Sequence, residues 1–317
     1  MVEKRFEICG YGASFPARRL GNEELASRLS VDENWINRRC GIQSRFVAEE
    51  ETTRSLGAAA ARKAVSMAPG VRPDFVICST FTPEYLLCPT APAIAHDLGL
   101  HKPGAIDLNA ACSGGILGIL TSLAYLFSDA ASAVLLVSAD TTTKYLDKAD
   151  AQTRILFGDG AAALLLRAAT SGGTRVLAHA YGSDGAGARF FHLGPDSECG
   201  SHAVVKMDGR ALFRFAVEQV HCLLSRLCDD AGVTPGDIVR VIVHQANYRI
   251  IEALQERSGI PADRWTVNIG RVGNLAAASM PLALVDALEN NEVRNGDLVL
   301  CAGFGAGLTW AGMLVEW

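Results

Sequence analysis

The 317-residue chain has nine cysteines, yet it lacks any Cys-x-x-Cys pair and any Cys/His spacing that fits a zinc site. An odd, scattered set is no disulfide framework. Most of these thiols read as small core residues in a reducing compartment, and a cytoplasmic protein is expected. No run approaches the roughly 20 apolar residues of a membrane span, so no membrane partner is expected. The opening MVEKRFEICGYG is broken by charge at once and lacks the apolar region of a signal peptide. An excess of basic residues is also missing. With 29 Lys and Arg against 34 Asp and Glu, the net charge of −5 argues against nucleic acid and leaves room only for a local basic patch.

What is present is apolar material in short, regularly spaced runs. Hydrophobic residues make up 49% of the chain, enough for one large core or two ordinary ones. Strands are predicted over 6–12, 74–79, 105–108, 133–139 and 157–166, with helices over 22–29, 53–68 and 89–98 and one after Cys112. Beyond about residue 173 come a strand over 174–182, a Gly/Ser/His-rich loop or flap over 185–205 and a long helix over 209–228. Strands over 238–243, 265–268, 297–302 and 308–317 follow, with helices over 249–258 and 276–289 between them. The two parts repeat in order: DFVICS, AIDL and AVLLVSA in one are answered by VRVIVHQ, TVNI and DLVLCAG in the other. A duplicated α/β unit, residues 1–172 and 173–317, explains the repeat; chance likeness of two α/β stretches is the alternative. The buried β-branched runs favour mostly parallel sheets covered on both sides.

The chain is organised around AIDLNAACSGGILGI, residues 105–119. An apolar strand end passes through small residues into a helix whose apolar positions include Leu117, Leu120, Leu123 and Leu126. Cys112 therefore sits at a helix N-terminus, where unpaired N–H groups and the helix dipole favour a thiolate. It reads either as a nucleophile or as a structural thiol in a close-packed corner. His244 follows four apolar strand residues in VIVHQANYRI, and Asn274 lies in RVGNLAAASMP before a helix. Both are placed at the C-terminal ends of strands, where α/β folds build sites. A satisfied core histidine and an ordinary Gly-Asn turn are the alternatives.

Cys112 in DLNAACSGG, FGDGA at 157–161, His244 in HQANYRI, Asn274 in GNLAAASMP and GFGAGLTW at 303–310 together resemble β-ketoacyl-ACP synthase III, a condensing-enzyme branch of the thiolase superfamily. The resemblance runs from the first strand to the last residue. It implies a five-layer αβαβα sandwich of two pseudo-repeats and a homodimer, with acyl-CoA and acyl carrier protein as partners and no cofactor. Cys112 would take the acyl group of an acyl-CoA. His244 and Asn274 would hold the malonyl carbonyl while decarboxylation makes the attacking enolate. The backbone amides of Cys112 and Ala306 would form the oxyanion hole.

The resemblance also assigns substrate and CoA contacts to Trp35, Arg39, Asn247, Gly209 and Phe213, an acyl pocket to Leu87, Gly115, Phe157 and Leu308, and a carrier-protein patch to Arg214 and Arg249. Two departures stand out. The arginine expected beside the CoA adenine falls at Ala151, with Arg154 nearby. Phenylalanines found in many relatives fall at Gly115 and Leu87, which implies a primer longer than acetyl or branched. The runner-up activity is acyl transfer to an amine, hydroxyl or non-standard extender. A non-catalytic partner subunit would lose the cysteine or histidine, and a cysteine hydrolase gives no reason for GFGAGLTW or the duplication.

Overall fold

A computed structural model describes residues 4–169, 171–195 and 203–317. In chain order the first part comprises β1 (Arg5–Ser14), β2 (Arg19–Gly21), α1 (Asn22–Leu29), α2 (Glu33–Cys40), β3 (Ser44–Phe46), α3 (Thr53–Met67), β4 (Phe75–Ser79), α4 (Thr90–Asp97), β5 (Gly104–Leu108), α5 (Gly114–Phe127), β6 (Ala133–Asp140), α6 (Ala151–Arg154) and β7 (Gly160–Ala169). The second comprises β8 (Thr174–Ser183), β9 (Phe191–Pro195), β10 (Ala203–Met207), α7 (Gly209–Ala231), β11 (Arg240–Val243), α8 (Tyr248–Ser258), α9 (Ile269–Val272), α10 (Ser279–Glu289), β12 (Leu298–Gly305) and β13 (Thr309–Glu316).

Nine strands form one sheet in the order β11-β12-β13-β8-β1-β7-β6-β4-β5. β1 and β8 meet only through Arg5↔Arg175 and Phe6↔Thr174, so the sheet is two half-sheets joined at a narrow seam. In one half β1 pairs antiparallel with β7 and β7 antiparallel with β6, while β6, β4 and β5 run parallel. In the other, β8–β13 and β13–β12 are antiparallel and β12–β11 is parallel, with a single parallel bridge from Val241 to Trp265 beyond it. The same order is built twice.

Alternation along the strands sends residues to opposite faces. Leu135, Val137 and Leu165 pack with Leu56, Ala61 and Ile94 under α3 and α4. Val134, Leu164, Val299 and Met313 pack with Ile116, Leu123, Met280 and Leu284 of α5 and α10, which lie between the half-sheets. Val243, Leu300 and Leu314 pack with Val217, Leu224, Ile251 and Leu254 of α7 and α8. The result is the five-layer αβαβα sandwich. α3 lies close on β1 because Gly10 and Gly12 leave it room: a Cβ on Gly10 would sit 2.0 Å from the Ala64 carbonyl oxygen. A capping box between Thr52 and Ser55 starts that helix.

Four expectations are corrected. The sheet is not mostly parallel. β12 and β13 are joined by three residues, too few for the crossover that parallel pairing needs. The 185–205 stretch is not all loop. β9 and β10 pair from Phe191↔Met207 to Pro195↔Ala203; residues 196–202, including Cys199, lie outside the described residues. Residues 265–268 form one bridge instead of a strand. The helix expected from 276 begins as a 3₁₀ turn, Ala276–Ala278, before α10.

Candidate active site

β5 leads into a tight turn in which Asn109 Oδ1 accepts from the Ala111 N–H at 3.3 Å and Ala111 takes φ +46°. The 3₁₀ turn Ala111–Ser113 then carries Cys112 into α5. Its side-chain setting overturns the expectation of a favoured thiolate. Cys112 is 3% exposed, and burial, reinforced by the nearby Asp140 carboxyl, pushes the thiol well above its ordinary value, outweighing its backbone N–H contact. The resting side chain is a thiol. The end of β12 lies directly across it: a Cβ on Gly305 would sit 2.8 Å from the Cys112 nitrogen and 2.9 Å from that of Ser113. Ser113 Oγ is 2.7 Å from Thr309 Oγ1, tying the turn to β13.

The Asn274 turn repeats this construction. Asn274 Oδ1 accepts from the Ala276 N–H at 2.9 Å, and Ala276 takes φ +51°. With Oδ1 engaged, the amide's NH2 is the group left to donate. The backbone of Asn274 is fixed by its N–H to the Leu156 carbonyl (2.9 Å) and its carbonyl from the Gly158 N–H (3.0 Å), a parallel bridge opposite Phe157. It therefore sits after α9, not at a strand end. Behind Phe157, Asp159 accepts from the Ala48 and Thr143 N–H groups at 2.7 and 2.9 Å, and burial pushes its carboxyl up to about 6.

His244 follows β11, and its N–H donates to the Ala302 carbonyl at 2.9 Å. The ring meets Phe304 edge-on at 5.2 Å. Burial pulls its pKa down to about 3, so the imidazole is neutral at physiological pH. Nδ1 has no hydrogen-bond partner among the described residues. No carboxylate or amide orients the ring through Nδ1 among the described residues. A neutral imidazole and a carboxamide NH2 suit donation to an oxygen gathering negative charge.

Cys112, His244, Asn274, Phe157, Phe304 and Gly305 line one cavity of about 550 Å³. Gly209, Phe213, Arg39 and Asn247 also line it, as do Arg214 and Arg249, which the resemblance had assigned to a carrier-protein patch. Asn247 caps α8 by accepting from the Arg249 N–H at 3.0 Å, and its Nδ2 donates to the Arg39 carbonyl at 3.4 Å. Sequence reasoning missed Phe191 and Met207, which face the cavity from the β9–β10 ribbon, and Gln152, Arg210 and Arg257. The alternation of Phe191 with Leu193, and of Val205 with Met207, was the available signal. Charged lining residues are five arginines against Glu218, a local excess in an acidic chain.

Other expected residues lie elsewhere. Gly115 is corrected: it faces α10, where a Cβ would meet Pro281 Cδ at 2.5 Å and the Ala277 oxygen at 2.6 Å. Its smallness serves helix packing and gives no room to an acyl chain. Leu308 is buried against Gly187, outside the cavity lining. Leu87 is 93% exposed beside Tyr85 and Leu86. Trp35 packs on the core at α2, and Ala306 accepts from Thr309 Oγ1 at 3.0 Å; neither lines the cavity. Ala151 opens α6, so Arg154 rides a helical turn, not a strand, half-buried with its pKa lowered by burial and by Arg28.

The chain is similar to known proteins over almost its whole length. Residues 106–185 match the family described as 3-oxoacyl-[acyl-carrier-protein (ACP)] synthase III, and residues 228–317 match its C-terminal part. The beta-ketoacyl-[acyl-carrier-protein] synthase III of Sinorhizobium medicae is 38% identical over 99% of both chains. The crystal structure of 3-oxoacyl-(acyl carrier protein) synthase III, FabH, from Pseudomonas aeruginosa superposes with a TM-score of 0.93 at 36% identity, covering 99% of this chain and 98% of that one. The priming β-ketosynthase of the R1128 polyketide pathway is similar at a TM-score of 0.90 and 34% identity, over 99% and 97%.

Proposed function

The chain belongs to the 3-oxoacyl-[acyl-carrier-protein] synthase III family, and from that premise we propose that it condenses an acyl group, taken from acyl-CoA onto Cys112, with malonyl-ACP. The Cys112 sulfur attacks the acyl thioester, CoA leaves, and the thiol proton goes to the departing CoA sulfur. An acyl-enzyme splits one hard step into two easier ones. Malonyl-ACP then enters with its thioester oxygen between His244 and the Asn274 NH2. Loss of CO2 leaves an enolate whose carbon attacks acyl-Cys112; the Cys112 sulfur departs as a thiolate, takes up a proton from solvent to restore the thiol, and 3-oxoacyl-ACP is released. Both substrates bring their own thioester, so the reaction needs no cofactor.

The observation that carries this reading is the convergence of Cys112, His244 and Asn274 on one cavity, with the imidazole neutral and the amide's NH2 free to donate. The amides of Cys112 and Ala306 would supply the oxyanion hole; Ala306 is outside the cavity lining itself but directly follows Gly305, which lines the cavity and lies against the Cys112 nitrogen. Residues 1–172 contribute the nucleophile and 173–317 the two donors. The arginine excess at the mouth suits CoA phosphates and an acidic carrier protein, with Arg214 and Arg249 the carrier contacts. A homodimer in the cytoplasm is part of the same reading. Among the described residues β5 is an edge of the sheet, Tyr85, Leu86 and Leu87 are exposed, and the eight described cysteines are all free.

Intact-protein mass spectrometry after incubation with an acyl-CoA panel, then after malonyl-ACP, tests the proposal. A mass gain that disappears in Cys112→Ala and is discharged by malonyl-ACP with CO2 release is the expected result, and its size names the primer. Discharge only by an added amine or alcohol would favour simple acyl transfer.

A further inference from the structure

Asp140 ends β6 outside the cavity lining, wholly buried, and every donor it meets is neutral. Its Oδ1 accepts from Thr80 Oγ1 (2.9 Å), the Phe81 N–H (3.0 Å) and Thr82 Oγ1 (3.0 Å). Its Oδ2 accepts from the Ala277 N–H at 3.1 Å. The last bond crosses from the first half to the second. It holds the 3₁₀ turn whose preceding N–H, that of Ala276, holds Asn274 Oδ1. The titratable groups that feel Asp140 are Cys112 and, on β4, Cys78, itself also facing Asp107 of β5. From α3 the nearest group is the neutral hydroxyl of Thr53, 3.1 Å from Thr82 Oγ1, and the 276–278 turn offers only the Ala277 amide.

We propose that Asp140 is a positioning residue acting on both halves of the site: it clamps the Asn274 turn through the Ala277 N–H, and its buried carboxylate weighs against ionisation of the Cys112 thiol. The clamp keeps the amide donor in place for the malonyl step. The charge adds to burial in opposing the thiolate, which keeps an idle Cys112 slower towards adventitious electrophiles. Burial pushes the Asp140 carboxyl up to about 7, which brings this opposition into the physiological range. The clamp rests on the role proposed for Asn274; the charge effect does not.

The test is site-resolved alkylation of Cys112 by iodoacetamide, read by peptide mass spectrometry across roughly pH 6 to 10. CO2 release from malonyl-ACP is measured on the same proteins: wild type, Asp140→Asn and Asp140→Glu. Asp140→Asn removes the charge and sets an NH2 against the Ala277 N–H. Alkylation at fixed pH is expected to rise about tenfold with its profile moved to lower pH, while CO2 release falls about tenfold or more. Asp140→Glu keeps the charge and the wild-type alkylation profile. Loosening of the fold would also lower the profile by exposing the buried thiol, so the signature is opposite movement of the two readouts with alkylation of the equally buried Cys301 unchanged; a rise shared with Cys301 marks loosening and overturns the inference. An unmoved alkylation profile, or one moved to higher pH, overturns the inference. If Asp140→Asn does not fold, Thr80→Ala serves instead. It removes one hydroxyl from Oδ1, raises the carboxyl's own proton affinity and should speed alkylation by a smaller factor; no change overturns the proposal. A wild type that releases no CO2 refutes the proposed function, and the alkylation profiles still decide the role of Asp140.

Discussion

Replacing Gly305 by alanine puts one methyl group where the site has no space for it. The new Cβ would lie 2.8 Å from the Cys112 nitrogen, 2.9 Å from the Ser113 nitrogen and 3.1 Å from Cys112 Cβ. Comfortable contact begins at ~3.5 Å, so β12 and the Cys112 turn must separate by more than half an ångström. Neither side yields easily, because β12 is paired on both edges and Ser113 is tied to Thr309. Overpacking of this kind costs about 1–3 kcal/mol of stability. The kinetic cost is larger, since the methyl group crowds the N–H proposed to receive the acyl oxyanion. Loss of one such donor slows reaction by about 10²–10³-fold. Rapid-quench mass spectrometry of Cys112 acylation at saturating acyl-CoA gives the rate, and urea unfolding gives the stability. A folded Gly305→Ala enzyme that acylates at the wild-type rate would refute the reasoning, because the amide would then be either free of the methyl group or unimportant to the step.

Three further outcomes are expected. Gly115→Ala should destabilise the fold by about 1–3 kcal/mol in urea while leaving primer choice unchanged, because its Cβ meets Pro281 and Ala277 of the facing helical segment. Arg214→Glu or Arg249→Glu should raise KM for malonyl-ACP by about tenfold at low salt with kcat held, and the difference should shrink at high salt. For pH, His244 falls from 6.5 to about 3 on folding, so the unfolded chain binds a proton the folded chain refuses, and its share of stability is lost as pH drops below about 6.5. Asp140 and Asp159 are raised from 3.8 to about 7 and about 6, and their share is lost as pH rises through those values. Urea midpoints from pH 7 to pH 4 should therefore fall less in His244→Gln than in wild type.

Much of this was legible in the chain wherever the cause is local. The helix over 22–29 is read to the residue, and the strand-to-helix corner at Cys112 follows from apolar runs separated by small residues. His244 stands out because four apolar residues lead into it. What the sequence hides depends on partners far away. The ionisation of Cys112 was misjudged because burial and Asp140 outweigh the local backbone. Gly115 was misplaced because only the position of Pro281 and Ala277 tells which way its face points. Asp140 itself reads as the polar end of an apolar strand, and its neutral cage is drawn from the stretch after β4 and from Ala277. Most antiparallel pairs lie within a half, and periodicity alone does not encode the direction in which a strand runs.

The bond between Ser113 and Thr309 joins residues 196 apart in the chain, and Gly305 faces Cys112 from the same distant strand. Contacts of that span form late, because a long loop must close before they stabilise anything. The nucleophile's surroundings are thus among the last parts of the molecule to assemble. In a chain emerging from the ribosome Cys112 is made long before β12 and β13, the strands that face it through Gly305 and tie its turn through Thr309. Catalytic competence arrives only with the final two strands, so activity marks the end of folding and no earlier stage of it.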